Sequence, residues 1–195
     1  MKCPEYWLSF AVSEALPKRR ALAADIGANV GSWSEAMSTE FQAVVAAEPD
    51  PRAYNQIPDL PNVTVERVAV GEEPGEAEFF LHESPGHNSL LPSHPIGGEG
   101  GAKIEPVATT DVQVVTLDQL LPAGADFVKI DIEGGEVAAL RGCKRLDSWK
   151  HAVFLVECHD TFDAVAVELQ RLGKSVRRLP HPFPGHPGHC WAIGT

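Results

Sequence analysis

The chain has 195 residues, 44% of them hydrophobic, and a formal net charge of −11. That length suits one domain with a real core, spanning residues 1–195, and the acid excess excludes a broad nucleic-acid-binding surface. No nucleic-acid partner is expected, although a short basic run such as Lys18–Arg20 or Arg177–Arg178 could make a local contact. Cys3, Cys143, Cys158 and Cys190 are scattered, with no CxxC pair. This argues against a zinc ribbon or a thioredoxin-type site and for buried or free thiols in a reducing cytoplasm. No apolar run approaches the ~20 residues that a membrane-spanning helix needs. The apolar patch before Arg20 is broken by Glu5 and Glu14 and does not read as a signal peptide.

In chain order, strand-like and helix-like segments alternate. Ala21–Ile26 is a short apolar strand followed by a Gly-rich turn, and "SWSEAMSTEF" reads as a helix. Ala43–Glu48 is a second buried strand, Pro51–Ile57 a short helix, and Asn62–Val70 a β-branched third strand. "EAEFFLHE" alternates like an exposed strand. Ser84–Pro106 has no periodicity, and a loop that long in a compact domain is usually functional. "VQVVTLDQLL" gives a strand and a turn of helix, "DFVKIDI" a buried strand, and "GEVAALRG" a helix with Glu136 in its first turn. "AVFLVEC" is buried again, and Asp160 then reads as the N-cap of an amphipathic helix. "SVRRL" and "HCWAIG" can pair as a closing hairpin. The expected fold is α/β, Rossmann-like and doubly wound. It has a mostly parallel seven-stranded sheet, an antiparallel C-terminal edge hairpin and helices on both faces.

Three motifs carry chemistry. "DIGANVG" joins a strand to a helix, where Gly27 permits a tight turn, Gly31 lets the helix pack closely, and backbone N–H groups suit a cofactor carboxylate. Asn29 stands where a dinucleotide-binding turn carries its middle glycine, which ranks an NAD-linked oxidoreductase low. Glu48 ends the second strand, where a carboxylate can accept both hydroxyls of a ribose. Finally, Asp25, Glu48, Asp131 and Glu157 each end an expected strand, at the edge of the crevice where open α/β sheets bind ligands. Four such acids are hard to explain as core or as solvated surface.

"DIGANVGSWS", "AAEPDP", "VTLDQLL", "VKIDIEGGEVAALRG" and "FLVE" resemble, in order and spacing, the motifs of the FkbM family of S-adenosylmethionine-dependent methyltransferases. The resemblance covers Leu22 to Glu157, and "VKIDIEGGEVAALRG" is its most specific part. It implies a class I methyltransferase acting on a hydroxyl of a small molecule or sugar. Carried over, Gly27, Ala28, Asn29 and Gly31 would line the methionine end of the cofactor, with Asp25 near its amino group. Glu48 would meet the ribose, Ala69 and Val70 the adenine, and Asp131 and Glu133 the transferred methyl. The "HNSL" stretch resembles a short Ser-containing motif of the family, so 84–106 is the expected lid or substrate loop.

A hydroxyl acceptor needs its proton removed near neutral pH, and Asp131 and His159 are the candidate bases. Asp131, Glu157 and His159 could also hold a divalent ion such as Mg²⁺, though histidine is an unusual Mg²⁺ ligand and none is assigned as a metal ligand. Glu133 reads equally as site or as start of a helix, and Glu136 as a first-turn acid favoured by the helix dipole. His181, His186 and His189 lie in a Pro/Gly-rich tail without ligand spacing. The short N-terminal segment keeps open a cofactor-binding module that has lost catalysis.

Overall fold

A computed structural model describes residues 16–83, 85–92, 105–180 and 189–195. The strands in chain order are β1 (Leu22–Ile26), β2 (Ala43–Ala47), β3 (Val63–Glu66), β4 (Ala69–Val70), β5 (Gly75–Leu81), β6 (Ala108–Val115), β7 (Phe127–Ile130), β8 (Val153–His159), β9 (Val176–Pro180) and β10 (His189–Gly194). The helices are α1 (Ser32–Ser38), α2 (Pro51–Tyr54), α3 (Leu117–Leu120), α4 (Glu136–Arg141), α5 (Leu146–Trp149) and α6 (Phe162–Arg171).

Seven strands form the main sheet in the order β3-β2-β1-β7-β8-β10-β9. β1 pairs in parallel with β2 and β7, β2 with β3, and β7 with β8. β10 runs antiparallel between β8 and β9, which is the expected edge hairpin. Every residue of β7 is buried, because both faces of this central strand are covered. On one face Val128, Ile130 and Phe154 meet Leu140, Trp149, Val165 and Leu169; on the other, Ala23, Phe127 and Leu155 meet Trp33, Met37 and Phe41. Full burial of one such large side chain contributes about 1.5–3 kcal/mol.

The chain leaves β1 toward β2 and β3 and returns to β7 on the other side of β1. The strand order therefore reverses between β1 and β7, and the crevice above their carboxyl ends is the switch point where such sheets bind ligands.

Three local expectations change. Asn62–Val70 is two strands, not one: it breaks at Arg67 and Val68, and β4 joins β5 and β6 in a separate three-stranded sheet. Arg67 turns its guanidinium over the Tyr54 ring, 4.6 Å from the ring centre. Asp160 has φ 59 and precedes the cap, so Thr161 is the N-cap of α6. The sequence reading passed over α5; its four residues are too few to show a period. The indole Nε1 of Trp149 donates to the buried carboxylate of Asp118 at 2.7 Å, which seats α5 against α3. Most of the 84–106 loop, Cys3, the N-terminal segment through residue 15 and the tail histidines His181 and His186 lie outside the described residues.

Candidate active site

Gly27 follows β1 with φ +76, and a Cβ on it would stand 1.9 Å from the Asp131 carbonyl oxygen. Only glycine lets the ends of β1 and β7 approach so closely. Gly31, with φ +85, is pressed the same way against Ile57 and Pro58. Between them the turn is pinned to β2: Gly27 N and Ala28 N donate to Ala47 O at 3.0 and 3.1 Å. Asn29 N donates to Glu48 Oε2 at 2.8 Å, and Asp50 N to Glu48 Oε1 at 2.9 Å. These bonds favour the Glu48 carboxylate, but burial outweighs them and pushes its pKa up to about 7.

The turn, Glu48 and the end of β7 line an open crevice of about 660 Å³, a volume that includes the solvent at its mouth. Its far wall is Val68–Val70 with Phe79, its roof Gly86, Asn88 and Leu90, and its floor Asp131, Ile132 and Glu133. Seven of the residues singled out in the sequence line it: Gly27, Asn29, Glu48, Ala69, Val70, Asp131 and Glu133. Asp25, Ala28, Gly31 and His159 stand behind or beside the wall.

Asp25 is fully buried; its Oδ2 accepts from Ser34 Oγ at 2.7 Å and its Oδ1 faces Lys129 Nζ at 3.1 Å. Lys129 is the functional residue that sequence reasoning missed. It is 1% exposed in the centre of the sheet, donates to Gly27 O at 2.8 Å and stands 3.5 Å from Asp131 Oδ2. Burial alone would lower its pKa, but the carboxylates of Asp25 and Asp131 hold it above its ordinary value. The signal that could have found it is a lysine inside the otherwise apolar run "DFVKI".

The roof is latched at two points. Asn88 Nδ2 donates to buried Asp50 at 2.6 Å, while its Oδ1 accepts from His82 N at 2.7 Å. Ser89 Oγ donates to Glu133 O at 2.8 Å. The start of the "HNSL" stretch thus covers the cavity and touches the acidic loop.

Beside the cavity floor, His159 Nε2 lies 3.4 Å from Glu133 Oε2 and 4.0 Å from both Asp131 Oδ1 and Glu157 Oε1. His159 Nδ1 lies 3.0 Å from Glu136 Oε1. Loss of water and the facing Glu157 carboxylate raise the Asp131 pKa despite Lys129. Burial would lower that of His159, but the Glu136 bond and the surrounding carboxylates raise it well above the usual range. A sulfonium, a protonated amine or a metal ion would suit so negative a corner. Among the described residues Asp131, Glu133 and His159 each bring a ligand atom within 4.8 Å of the others. That set has Glu133 where the sequence suggested Glu157.

A family model for the methyltransferase FkbM domain matches residues 25–176. A search of curated proteins found no match. Among solved structures the chain is similar to methyltransferase FkbM from Methylobacillus flagellatus KT. That pair has a TM-score of 0.60 and 18% identity over 98% of this chain and 50% of that one; this chain thus spans half the length of that relative. It is similar also to an rRNA methylase from Streptococcus thermophilus, with TM-score 0.56 and 10% identity over 100% of this chain and 96% of that one. A third is magnesium protoporphyrin IX methyltransferase from Synechocystis PCC 6803, solved with bound S-adenosylmethionine. There the TM-score is 0.55 and the identity 11%, over 97% of this chain and 76% of that one. With the glycine turn, the strand-end acids and the sheet order already in place, the chain belongs to the FkbM methyltransferase family.

Proposed function

We propose that the protein is an S-adenosylmethionine-dependent methyltransferase that modifies a hydroxyl of a small polar acceptor, such as a sugar, in the cytoplasm. The observation that carries this reading is the single cavity bounded by the glycine turn, Glu48 and the Asp131–Glu133 floor. The cofactor fits the residues present. Glu48 offers a fixed carboxylate for ribose hydroxyls, Ala69 and Val70 with Phe79 an apolar wall for adenine, and the Gly27–Asn29 turn a close backbone approach for the methionine end.

When bound, S-adenosylmethionine supplies an electrophilic methyl on a positively charged sulfur. The chain's part is to position, to match charge and to take a proton. Glu133 and Glu157 bring negative charge to this end of the crevice, which favours the cationic donor. Lys129 keeps the ends of β1 and β7 together so that this charge stays in place. Asp131, on the cavity floor with His159 behind it, is the group placed to take the acceptor's hydroxyl proton, and the raised pKa of both puts that role on the alkaline side. Orientation of the two reactants supplies much of the rate, with effective molarities of ~10⁵ M or more in well-aligned systems.

A small-molecule acceptor, rather than a nucleic acid or a membrane, agrees with the net charge of −11. In the N-terminal basic run, Arg19 pairs with Asp126 at 3.2 Å and Arg20 with Glu40. No described helix is long and apolar enough to cross a membrane. Calorimetric titration with S-adenosylhomocysteine tests the reading: saturable one-to-one binding is expected, and no binding by folded protein would sink it. A second reading is a cofactor-binding module without turnover. It gains if the cofactor binds but Asp131→Asn changes no turnover.

A further inference from the structure

Glu136 opens α4, yet it is 0% exposed and meets the His159 ring rather than solvent. A first-turn acid that only offset the helix dipole would lie at the surface, where that interaction contributes about 0.3–1 kcal/mol. Burying a carboxylate costs several kcal/mol unless it is paired and hydrogen-bonded. Glu136 meets this cost through one oxygen. Its Oε1 accepts from Gly134 N at 2.9 Å and, more weakly, from Ile132 N at 3.4 Å, and it stands 3.0 Å from His159 Nδ1. Its Oε2 is buried with no hydrogen-bond partner. The backbone bonds hold the loop that carries Glu133, where Glu133 has φ 54 and Gly134 φ 97.

The third contact has a direction. A carboxylate beside a ring nitrogen accepts a hydrogen bond from it, so the proton of a neutral ring sits on Nδ1. The lone pair is then on Nε2, which faces Glu133, Asp131 and Glu157. Asp131 and Glu133 line the cavity, so Nε2 is turned toward the acids that stand between it and the space where donor and acceptor would meet. A carboxylate that fixes one nitrogen of an imidazole and presents the other is the arrangement that hydrolases use to orient a histidine base.

We propose that Glu136 is a positioning residue: it fixes the His159 ring with Nδ1 as donor and turns Nε2 toward Asp131 and Glu133, the acids that floor the cavity. This rests on the methyl-transfer reading for what those acids do, but not for how the ring is held. The rival explanation is that Glu136 serves only the 132–134 turn. Glu136→Gln separates the two, because an amide oxygen can still accept the backbone N–H groups but offers no charge to Nδ1.

The test is ¹⁵N–¹H spectroscopy of the ring, with the His159 signals assigned by their loss in His159→Gln. In the unmodified protein at alkaline pH, where the ring is neutral, the Nδ1–H tautomer is expected, with its proton far downfield. In Glu136→Gln that downfield proton moves upfield or is lost. Affinity for S-adenosylhomocysteine stays within about threefold in both, since neither Glu136 nor His159 lines the cavity. If Glu136→Gln fails to fold, Glu136→Asp, which draws the carboxylate back from Nδ1, serves the same comparison. An Nε2–H tautomer in the unmodified protein, or an unchanged ring spectrum in the folded variant, overturns the proposal. Failure of S-adenosylhomocysteine to bind the unmodified protein overturns the methyl-transfer reading instead and leaves the ring assignment standing.

Discussion

Lys129 decides how the crevice is charged, and its removal should show in stability before it shows anywhere else. Lys129→Met keeps the bulk of the side chain but leaves Asp25 and Asp131 facing one another's strands without a shared cation. Breaking a buried pair in this way costs about 3–5 kcal/mol, and urea denaturation should record a loss of that order at unchanged m-value. Glu48 should show itself through pH. Burial raises its pKa to about 7, so the carboxylate that ribose hydroxyls require is complete only above that value. Affinity for S-adenosylhomocysteine should therefore be level above pH ~8 and fall toward tenfold per unit below about 7, and Glu48→Gln should flatten that limb while weakening binding throughout. An affinity that rises on acidification would contradict the assignment. Glu48 was legible in the sequence because its chemistry is local: it ends a strand and stands beside the glycine turn. Lys129 was not, because the carbonyl it holds lies 102 positions away, and a lone lysine in an apolar run gives no sign of its partner.

Among the elements, the strands and the short helices α2 and α3 were legible and α5 was not, for a physical reason. A strand in a covered sheet declares itself by a short apolar run, unbroken in β8 and interrupted by one charged residue in β1 (Asp25) and β7 (Lys129). Helices of four residues such as α2 and α5 have no room for a period, and what holds them is tertiary: Asp50 caps α2, and Asp118 anchors α5. The same applies to the 85–91 segment, which read as structureless loop but is fixed by Asn88 and Ser89. Asn88→Ala removes the donor to buried Asp50 and the acceptor for His82 N. Leaving those groups unsatisfied costs about 1–3 kcal/mol. Because Asn88 also forms the cavity roof, S-adenosylhomocysteine should bind roughly tenfold or more weakly, in line with that figure. Ser89→Ala, which removes the bond to Glu133 O and the acceptor for Leu91 N but leaves Asn88 in place, should leave that affinity nearly unchanged. Equal losses in both variants, measured by calorimetry, would mean that the segment is held as one unit rather than at two separate points.

At the scale of the whole molecule, the question is whether the sheet and its two covered faces open as one cooperative unit, as the single-domain reading of 1–195 would require. The cysteines give a direct measure. Cys143, Cys158 and Cys190 are buried thiols outside any disulfide, and all three belong to the core cluster on one face of the sheet. Burial raises the Cys143 pKa with help from Asp118, and the contact with Cys190 together with burial raises that of Cys158. Neither thiol has the depressed pKa of a reactive cysteine. Alkylation should then proceed through unfolding rather than by direct attack. If opening is cooperative, all three should react with iodoacetamide at one common rate, slower than in denaturant by about 10³-fold or more, as a stability of several kcal/mol demands. Saturating S-adenosylhomocysteine at 100 times its Kd should slow all three by about a further hundredfold, since it binds the folded state alone. Peptide mapping by mass spectrometry resolves the sites. Selective labelling of Cys190 would show that the edge hairpin opens separately from the centre of the sheet. The two strand-end acids Asp131 and Glu157, which lie on the β7 and β8 side of the crevice, would then be anchored by a more stable unit than the edge beside them.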